Sequence, residues 1–504
     1  MTITMPESGI SQSEIDESPG ELPAGDSPLP DHNGDSWWNR VCGGREVIAL
    51  ALPLMVSTFS YSLMQFCDRI FLAWYSPTAL AAVLPAGVMV WTLLSFPLGT
   101  AMYTNVFVAQ YFGAGQNRRI GMVLWHGMIL ATMFTPIFLF SFLAPSLIFE
   151  LAGHEKSLVE QEATYFGLLS VGSIAHIYGA VLTAFFIGQG RTVIVMIVDV
   201  FTAALNVLLD WLLIFGFSIG STFVLEPMGI RGAAIATTIA LCIKTAIFLL
   251  LVLRKRNRRK FGIFDRFRFS TDLIARMFRF GSSNGLQFLL ECLGIAAFSI
   301  MIAGLGEIPA AATTIAISVN LMVFVPIWGL STAVSTMVGQ RIGDGHPDLA
   351  ERATWTSMVI GLVYTGFFGL MYVLFPGWFL MGHDAGADDF GEIARLTRIL
   401  LWFVAAYCIF DSVQIIFVGA IKGAGDTFFV VVVSVICSTL FVVAGIAGHQ
   451  ALESDNARLF WWWSTLTGWI VLLSIIYATR FLRGKWKTMQ VIERDLIHTH
   501  DEDG

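Results

Sequence analysis

From Glu46 to Arg483 the chain repeats one pattern: a long, mostly apolar run, a short polar break, then another run. An α-helix rises 1.5 Å per residue, so about 20 apolar residues cross the hydrocarbon core of a bilayer. Twelve runs reach that length: 46–73, 78–112, 120–148, 162–187, 192–219, 230–253, 272–304, 309–341, 350–380, 392–420, 427–449 and 458–483. The pattern predicts an all-α polytopic membrane protein with twelve transmembrane helices. The stretch before the first run is rich in Ser, Pro, Gly, Asp and Glu and has no Lys or Arg until Arg40. It offers too little apolar surface to fold and reads as a disordered acidic tail over 1–40. Without a basic start and an apolar core it is not a signal peptide.

Composition agrees, since 504 residues that are 56% hydrophobic and 13% charged do not make an ordinary soluble domain. The tail and the terminal "DEDG" supply much of the net charge of −7, which therefore says little about partners. Nucleic acid is not expected among them. Cys67, Cys242, Cys292, Cys408 and Cys437 fall inside apolar runs, where neither a disulfide framework nor a CxxC metal pair can be drawn. No cofactor is implied.

Charge also sets orientation. With both termini on one side, that side collects 23 of the 30 Lys and Arg, ten of them from Arg254 to Arg279. Lys156, Arg231, Arg395, Arg398 and Arg458 lie opposite, and Arg69 and Lys244 lie within runs. The positive-inside rule places both termini in the cytoplasm of a multi-pass protein of the cell (inner) membrane.

The basic loop "RKRNRRKFGIFDRFRFSTD" divides the chain into an N-terminal lobe (41–253) and a C-terminal lobe (272–484), with the loop over 254–271 and a cytoplasmic C-terminal tail over 485–504. The lobes resemble each other. At an offset of 230, "GTAMYTNVFVAQYFGAG" overlays "GLSTAVSTMVGQRIGDG", matching Gly99, Val108, Gln110, Gly113 and Gly115 with Gly329, Val338, Gln340, Gly343 and Gly345. "GQGRT", ending the fourth run, parallels "GAGDT", ending the tenth. Six helices per copy make both copies enter the membrane in the same direction, which predicts two parallel-repeat six-helix bundles around a central cleft.

Five strings carry a specific resemblance: "AQYFGAGQNRR", "GQRIGDGHPDLAERA", "LNVLLDWLLIFG", "RGAAIAT" and "VGAIKGAGDT". Together, in the order in which they stand along the chain, they resemble the motifs of the multidrug and toxic compound extrusion (MATE) family, in its bacterial NorM-type branch. The resemblance implies a V-shaped pair of bundles that exports organic cations or drugs in exchange for Na+ or H+, working as a monomer.

Intramembrane charges are the candidate chemistry. A charge at the bilayer centre costs about 2.5 to 3.5 kcal/mol on insertion scales, so such a residue has a partner or a task. Asp210 lies one turn after Asn206, on the same face of its helix. With Asp68 of the first run and Thr237 of the sixth they offer hard oxygen ligands suited to an alkali cation. Asp68, Asn206, Asp210 and Thr237 also match the residues that form a Na+ site in similar transporters. The plainer reading is that Asn206 and Asp210 cap a kink or bond a neighbouring helix. In the second lobe Glu291 and Asp411 match an acidic pair of the NorM-type branch, with Gln287 and Tyr407 one turn before them. Such a pair titrates as a coupled unit and can take a proton or a cationic drug, unless each carboxyl merely serves the bundle. Pro53, fifteen residues before Asp68, frees a backbone carbonyl and permits a bend of the first helix. Arg69 reads as snorkelling to the interface.

One pairing comes from spacing alone. Asp199 and Asp210, eleven apart, share a face of the fifth helix, and Thr237 and Lys244, seven apart, share one of the sixth. Counted from Thr192 and Arg254, Asp199 and Lys244 sit about 10 and about 15 Å deep in antiparallel neighbours. An ion pair below the cation site is expected; the alternative leaves Asp199 as a free proton-binding acid.

No enzyme is expected. "GSSNG" at 281–285 has the GxSxG form but opens an apolar run, "GHEKS" at 153–157 lacks a second His, and His126 and His176 read as packed or hydrogen-bonded. The remaining alternative is a flippase or exporter of a lipid-linked or other amphipathic metabolite; those relatives have fourteen helices and a cationic cavity.

Overall fold

The computed structural model of the protein describes residues 36–146, 149–150, 156–219, 222–264, 269–380 and 390–493. Twelve helical spans long and apolar enough to cross a membrane run through it. In the N-terminal half they are α1 (Gly44–Tyr75), the consecutive pair α2 (Pro77–Met102) and α3 (Thr104–Gly113), α4 (Asn117–Leu143), α5 (Lys156–Ile187), α6 (Thr192–Phe215) and α7 (Ile230–Val252). A short basic helix, α8 (Lys255–Phe261), follows. The second half holds α9 (Thr271–Ala303), α10 (Glu307–Gly343), α11 (Pro347–Leu374), the short α12 (Pro376–Leu380), α13 (Phe390–Ala424), α14 (Thr427–Ala451) and α15 (Asp455–Leu482), then a 3-10 turn at Lys485–Thr488. Large apolar side chains such as Phe66, Leu143, Ile300, Val363 and Phe428 stand exposed on the outside of the bundle, as a lipid-facing surface requires.

The structure trims three of the twelve runs at residues that stop a helix. The fifth ends at Phe215 because Gly216 turns the backbone to φ +75°, and β1 (Phe217–Ile219) then pairs antiparallel with β2 (Thr222–Leu225), a small ribbon that an all-helical reading omits. The third stops at Leu143, before Ala144–Pro145, and residues 147 and 148 of that run lie outside the described ones. The ninth stops at Leu374, two residues before Pro376, so 376–380 is a separate turn of helix. Of the tail assigned to 1–40, only residues 36–40 are among the described ones. There Trp37 and Trp38 form turns against the start of α1, their carbonyls accepting from Gly44 N at 3.2 Å and Arg45 N at 3.1 Å.

Within each half one helix gathers three neighbours: α5 touches α2, α4 and α7, and α13 touches α10, α11 and α15. The halves meet along two seams, α1 against α10 and α2 against α9, and where α3 crosses α10. These seams are mates under the 230-residue offset. A Cβ at Gly99 would stand 2.8 Å from Gly285 Cα, and one at Gly329 would stand 2.6 Å from Met55 N, 230 positions before Gly285. A Cβ at Gly113 would lie 1.9 Å from Gln340 O, and one at Gly343 would lie 2.1 Å from Gln110 O. Gln110 Nε2 donates to Gly423 O at 3.0 Å while Gln340 Nε2 donates to Gly188 O at 2.8 Å, so both repeats found in the sequence bond each other's copies. Asn284 adds a donor of its own: its Nδ2 gives a 2.6 Å bond to Gly99 O, taking an acceptor from the helical ladder, and the helix breaks at Tyr103, between α2 and α3.

The glycines at this crossing are therefore spacers. Gly113→Ala and Gly343→Ala should each lower stability by about 1–3 kcal/mol through overpacking against backbone. Gly366→Ala, where a Cβ meets nothing within 4 Å, should be neutral or slightly stabilising. Thermal unfolding of the purified protein followed by tryptophan fluorescence measures all three, and equal melting temperatures would contradict the spacer role.

Candidate functional site

Four helices of the first half place polar side chains in one buried cluster. Asp68 on α1, Asn206 and Asp210 on α6 and Thr237 on α7 are all buried, with Asn206 and Asp210 wholly inaccessible. With its amide nitrogen toward the carboxylate, Asn206 donates to Asp210 Oδ2 at 2.9 Å while its oxygen accepts from Thr237 Oγ1 at 3.3 Å. Tyr165 of α5, which the sequence analysis missed, donates to Asp68 Oδ2 at 3.1 Å. Nothing in the sequence separates it from other aromatic residues that face inward from an apolar helix. Asp68 and Asp210 lie within electrostatic range of each other, and each keeps one buried carboxylate oxygen, Oδ1, without a hydrogen-bond donor. Two carboxylates, an amide and a hydroxyl form a hard-oxygen set with unsatisfied acceptors, which fits a small cation and lacks the thiolates or imidazoles of a transition-metal site.

Below this cluster Lys244 Nζ lies 2.7 Å from Asp199 Oδ1, and both side chains are largely buried. Ser57 of α1 donates to Asp199 Oδ2. The pair thus ties α6 and α7 to α1, one turn beyond Pro53, which sits buried inside the unbroken α1. Arg69 is exposed at the outer surface of α1.

In the second half Gln287 Nε2 donates to Glu291 Oε1 at 2.8 Å on α9. Tyr407 and Asp411 are buried one turn apart on α13, and Asp411 lies within electrostatic range of Glu291. Lys422, near the end of α13, also reaches Glu291 electrostatically, a neighbour that its place in "IKGAG" does not announce. The two acidic sites are not mates. The offset of 230 carries Glu291 back to Tyr61, and the offset of 235 set by the "GQGRT" and "GAGDT" copies carries Asp411 back to His176; these rings are neighbours, with centroids 6.0 Å apart. Conversely, the mates of Asp68, Asn206 and Asp210 are Phe298, Phe441 and Gly445, and the indole of Trp462 fills that place.

Between the halves lies an apolar cavity of about 330 Å³, lined by Met55, Phe59, Met322, Pro326, Tyr364 and Phe368 among others. The enzyme-like strings resolve into packing. Ser283 of "GSSNG" sits inside α9 and bonds its own helix at Arg279 O, and the two flanking glycines face α2. Residues 153–155 of "GHEKS" lie outside the described ones. His126 is buried, its Nδ1 2.7 Å from Met122 O and its Nε2 accepting from Ser270 N at 3.0 Å, so it fixes the approach to α9.

Twelve spans in two repeated halves, with buried acids in each half and a cavity between them, define a two-lobed membrane transporter. The MatE family matches residues 53–212 and 285–446, one stretch per lobe, and the chain belongs to that family, in its NorM-type branch. It is 23% identical over 457 residues to a probable multidrug resistance protein NorM of Thermotoga maritima, covering 90% of this chain and 95% of that protein. With the multidrug resistance protein NorM of Vibrio cholerae it shares 24% over 381 residues, 75% of this chain and 81% of the other. A solved outward-facing multidrug resistance MATE transporter of the MOP superfamily superposes with a TM-score of 0.79 at 18% identity, over 89% of this chain and 98% of that one.

Proposed function

We propose that the protein is a monomeric secondary antiporter of the inner membrane, with both termini cytoplasmic, that exports organic cations or drugs in exchange for Na+ or H+ by alternating access. The observation that carries this reading is the set of buried acids. Among the described residues, no Lys or Arg forms an ion pair with Asp68, Asp210, Glu291 or Asp411, and Asp68 and Asp210 hold unsatisfied oxygens. Carboxylates held away from water in this way need a mobile cation, and a proton, Na+ or an organic cation can compete to supply it. The Asp68, Asn206, Asp210 and Thr237 set suits the coupling ion. Glu291 and Asp411, beside Gln287 and Tyr407, suit a proton or the cationic end of a substrate, and the apolar interlobe cavity suits its flat hydrocarbon part. NorM relatives named for multidrug resistance support the substrate class.

The test is ethidium counterflow in proteoliposomes, with a Na+ gradient and a pH gradient imposed separately. Movement against its own gradient under either one supports antiport, and movement under neither overturns it. Within this reading Glu291→Gln and Asp411→Asn should each shift the pH profile of transport or weaken ethidium binding about tenfold, the scale of one lost charge-assisted contact. Wild-type affinity and an unchanged profile in both variants would make the second-lobe acids structural.

A further inference from the structure

The two seams also differ at the end of the bundle that carries both termini and the basic loop. On the α1–α10 seam Glu46 and Arg341 pair directly, Oε1 to Nη2 at 2.8 Å, while Glu46 Oε2 accepts from Cys42 N at 2.7 Å. The 230-residue offset carries Glu46 to Arg276 and Arg341 back to Tyr111. Arginine and the tyrosine hydroxyl are both donors here, so neither mate supplies the cross-seam carboxylate that Glu46 supplies on the first seam. The carboxylate arrives from beyond α15. Glu493 Oε2 accepts from Tyr111 Oη at 2.8 Å and from Arg119 Nη1 at 2.9 Å, and its Oε1 pairs with Arg276, whose Nε is held by Asp272 at 3.0 Å.

The segment carrying Glu493 is fastened to both halves. Trp486 is fully buried and stacks on Phe481, centroids 4.9 Å apart, and Lys487 Nζ lies 2.6 Å from Glu351 Oε2 of α11. Further on, Val491 N donates to Gln110 Oε1 at 2.8 Å, and Arg276 donates to Val491 O at 3.1 Å. Gln110 is the residue that also reaches Gly423 across the lobes.

We propose that residues 485–493 form a latch in which Glu493 supplies the cross-seam carboxylate that the second seam lacks, so that this segment must release before α3 and α4 part from α9 at the basic end. The latch rests on the alternating-access reading. It explains why a polar segment outside the membrane buries a tryptophan and bonds a glutamine of the seam. Burial pushes the Glu493 carboxyl up, but the Tyr111 hydroxyl and the Arg276 and Arg119 guanidiniums outweigh that and hold it below its ordinary value. A lowered carboxylate keeps its attraction above its free-chain value of about 4.3 and loses it only as pH falls through the bound value. The latch therefore stays charged near neutral pH and answers to motion of the lobes, not to protons.

The experiment is a distance measurement between nitroxide labels at Arg118→Cys and His346→Cys, exposed positions on opposite lobes, with the six native cysteines replaced. Wild type should show a dominant short distance and a minor long one. Glu493→Gln, and separately a chain ending at Gln490 that retains Trp486, should raise the long-distance fraction about three- to tenfold, the range for a part-exposed charge network. Glu493→Gln is nearly isosteric and reports even if the shortened chain misfolds. Two distances in wild type with unchanged proportions in Glu493→Gln overturn the latch alone. One fixed distance in wild type and variant alike overturns both the latch and alternating access.

Discussion

Asp210→Asn and Asp68→Asn should each reduce gradient-driven ethidium transport to the level of empty vesicles while leaving the fold intact. Each substitution keeps the side chain's size and removes the negative charge that offsets the cost of stripping water from a cation. In Asp210→Asn the Asn206 and Thr237 contacts persist, but two amides now share the place of one amide and one carboxylate, and neither Oδ1 position offers a full charge. Stability should change little, because these acids have no fixed basic partner to orphan. We expect melting temperatures within about 3 °C of wild type, roughly the shift that 1 kcal/mol produces in a large domain. A variant that unfolds early would instead make the carboxylate a structural strut, and one that still exchanges ethidium against a gradient would remove the site from the mechanism.

The opposite signature is expected one level below. Asp199 and Lys244 are paired at 2.7 Å and largely buried, so Asp199→Asn or Lys244→Met leaves a charge in the interior without its partner. Breaking such a pair from one side costs about 3–5 kcal/mol, whereas removing both charges is often nearly neutral. Each single variant should melt well below wild type, and the double variant should recover most of the loss. Ser57→Ala should cost about 1 kcal/mol, because Asp199 keeps Lys244 when that hydroxyl is gone. Additive defects in the cycle would mean that the two charges act independently. Reading Asp68 and Asp210 as functional and Asp199 and Lys244 as structural therefore depends on a contrast: activity lost with stability kept in one pair, stability lost and restored in the other.

How much of this was legible in the sequence differs from residue to residue. Helices and their order follow from apolar runs, because a lipid environment leaves the backbone few other ways to satisfy its donors and acceptors. Where an apolar run outlasts its helix, the stop signal is local and visible: Gly216, Pro145 and Pro376. Asn206 and Asp210 stand out because a polar residue is costly in an apolar helix, and Lys244 can be set against Asp199 by counting along two antiparallel helices. Tyr165, Ser57 and Lys422 could not be found in this way. A tyrosine and a serine cost little in an apolar helix and become partners only once α5 and α1 are placed. Lys422 sits close enough to the helix end to be read as one more basic residue of the loops. Glu493 was less accessible still, since its role depends on what the other seam possesses and its own lacks.

The repeated halves therefore behave like a dimer whose subunits have kept their handshake and exchanged their pockets. Gly99 with Gly329 and Gln110 with Gln340 form a self-complementary joint of the isologous kind, in which a contact made once is made twice. Trp462, by contrast, occupies in one half the volume that Asp68 and Asp210 leave polar in the other. The place of the Asp68 and Asp210 cluster is thus polar in one half only, and its mate in the other half is closed by an indole. A joint that is the same on both sides carries no polarity of its own; in this molecule the asymmetry lies in the interior of the lobes, acid in one copy and tryptophan in the other.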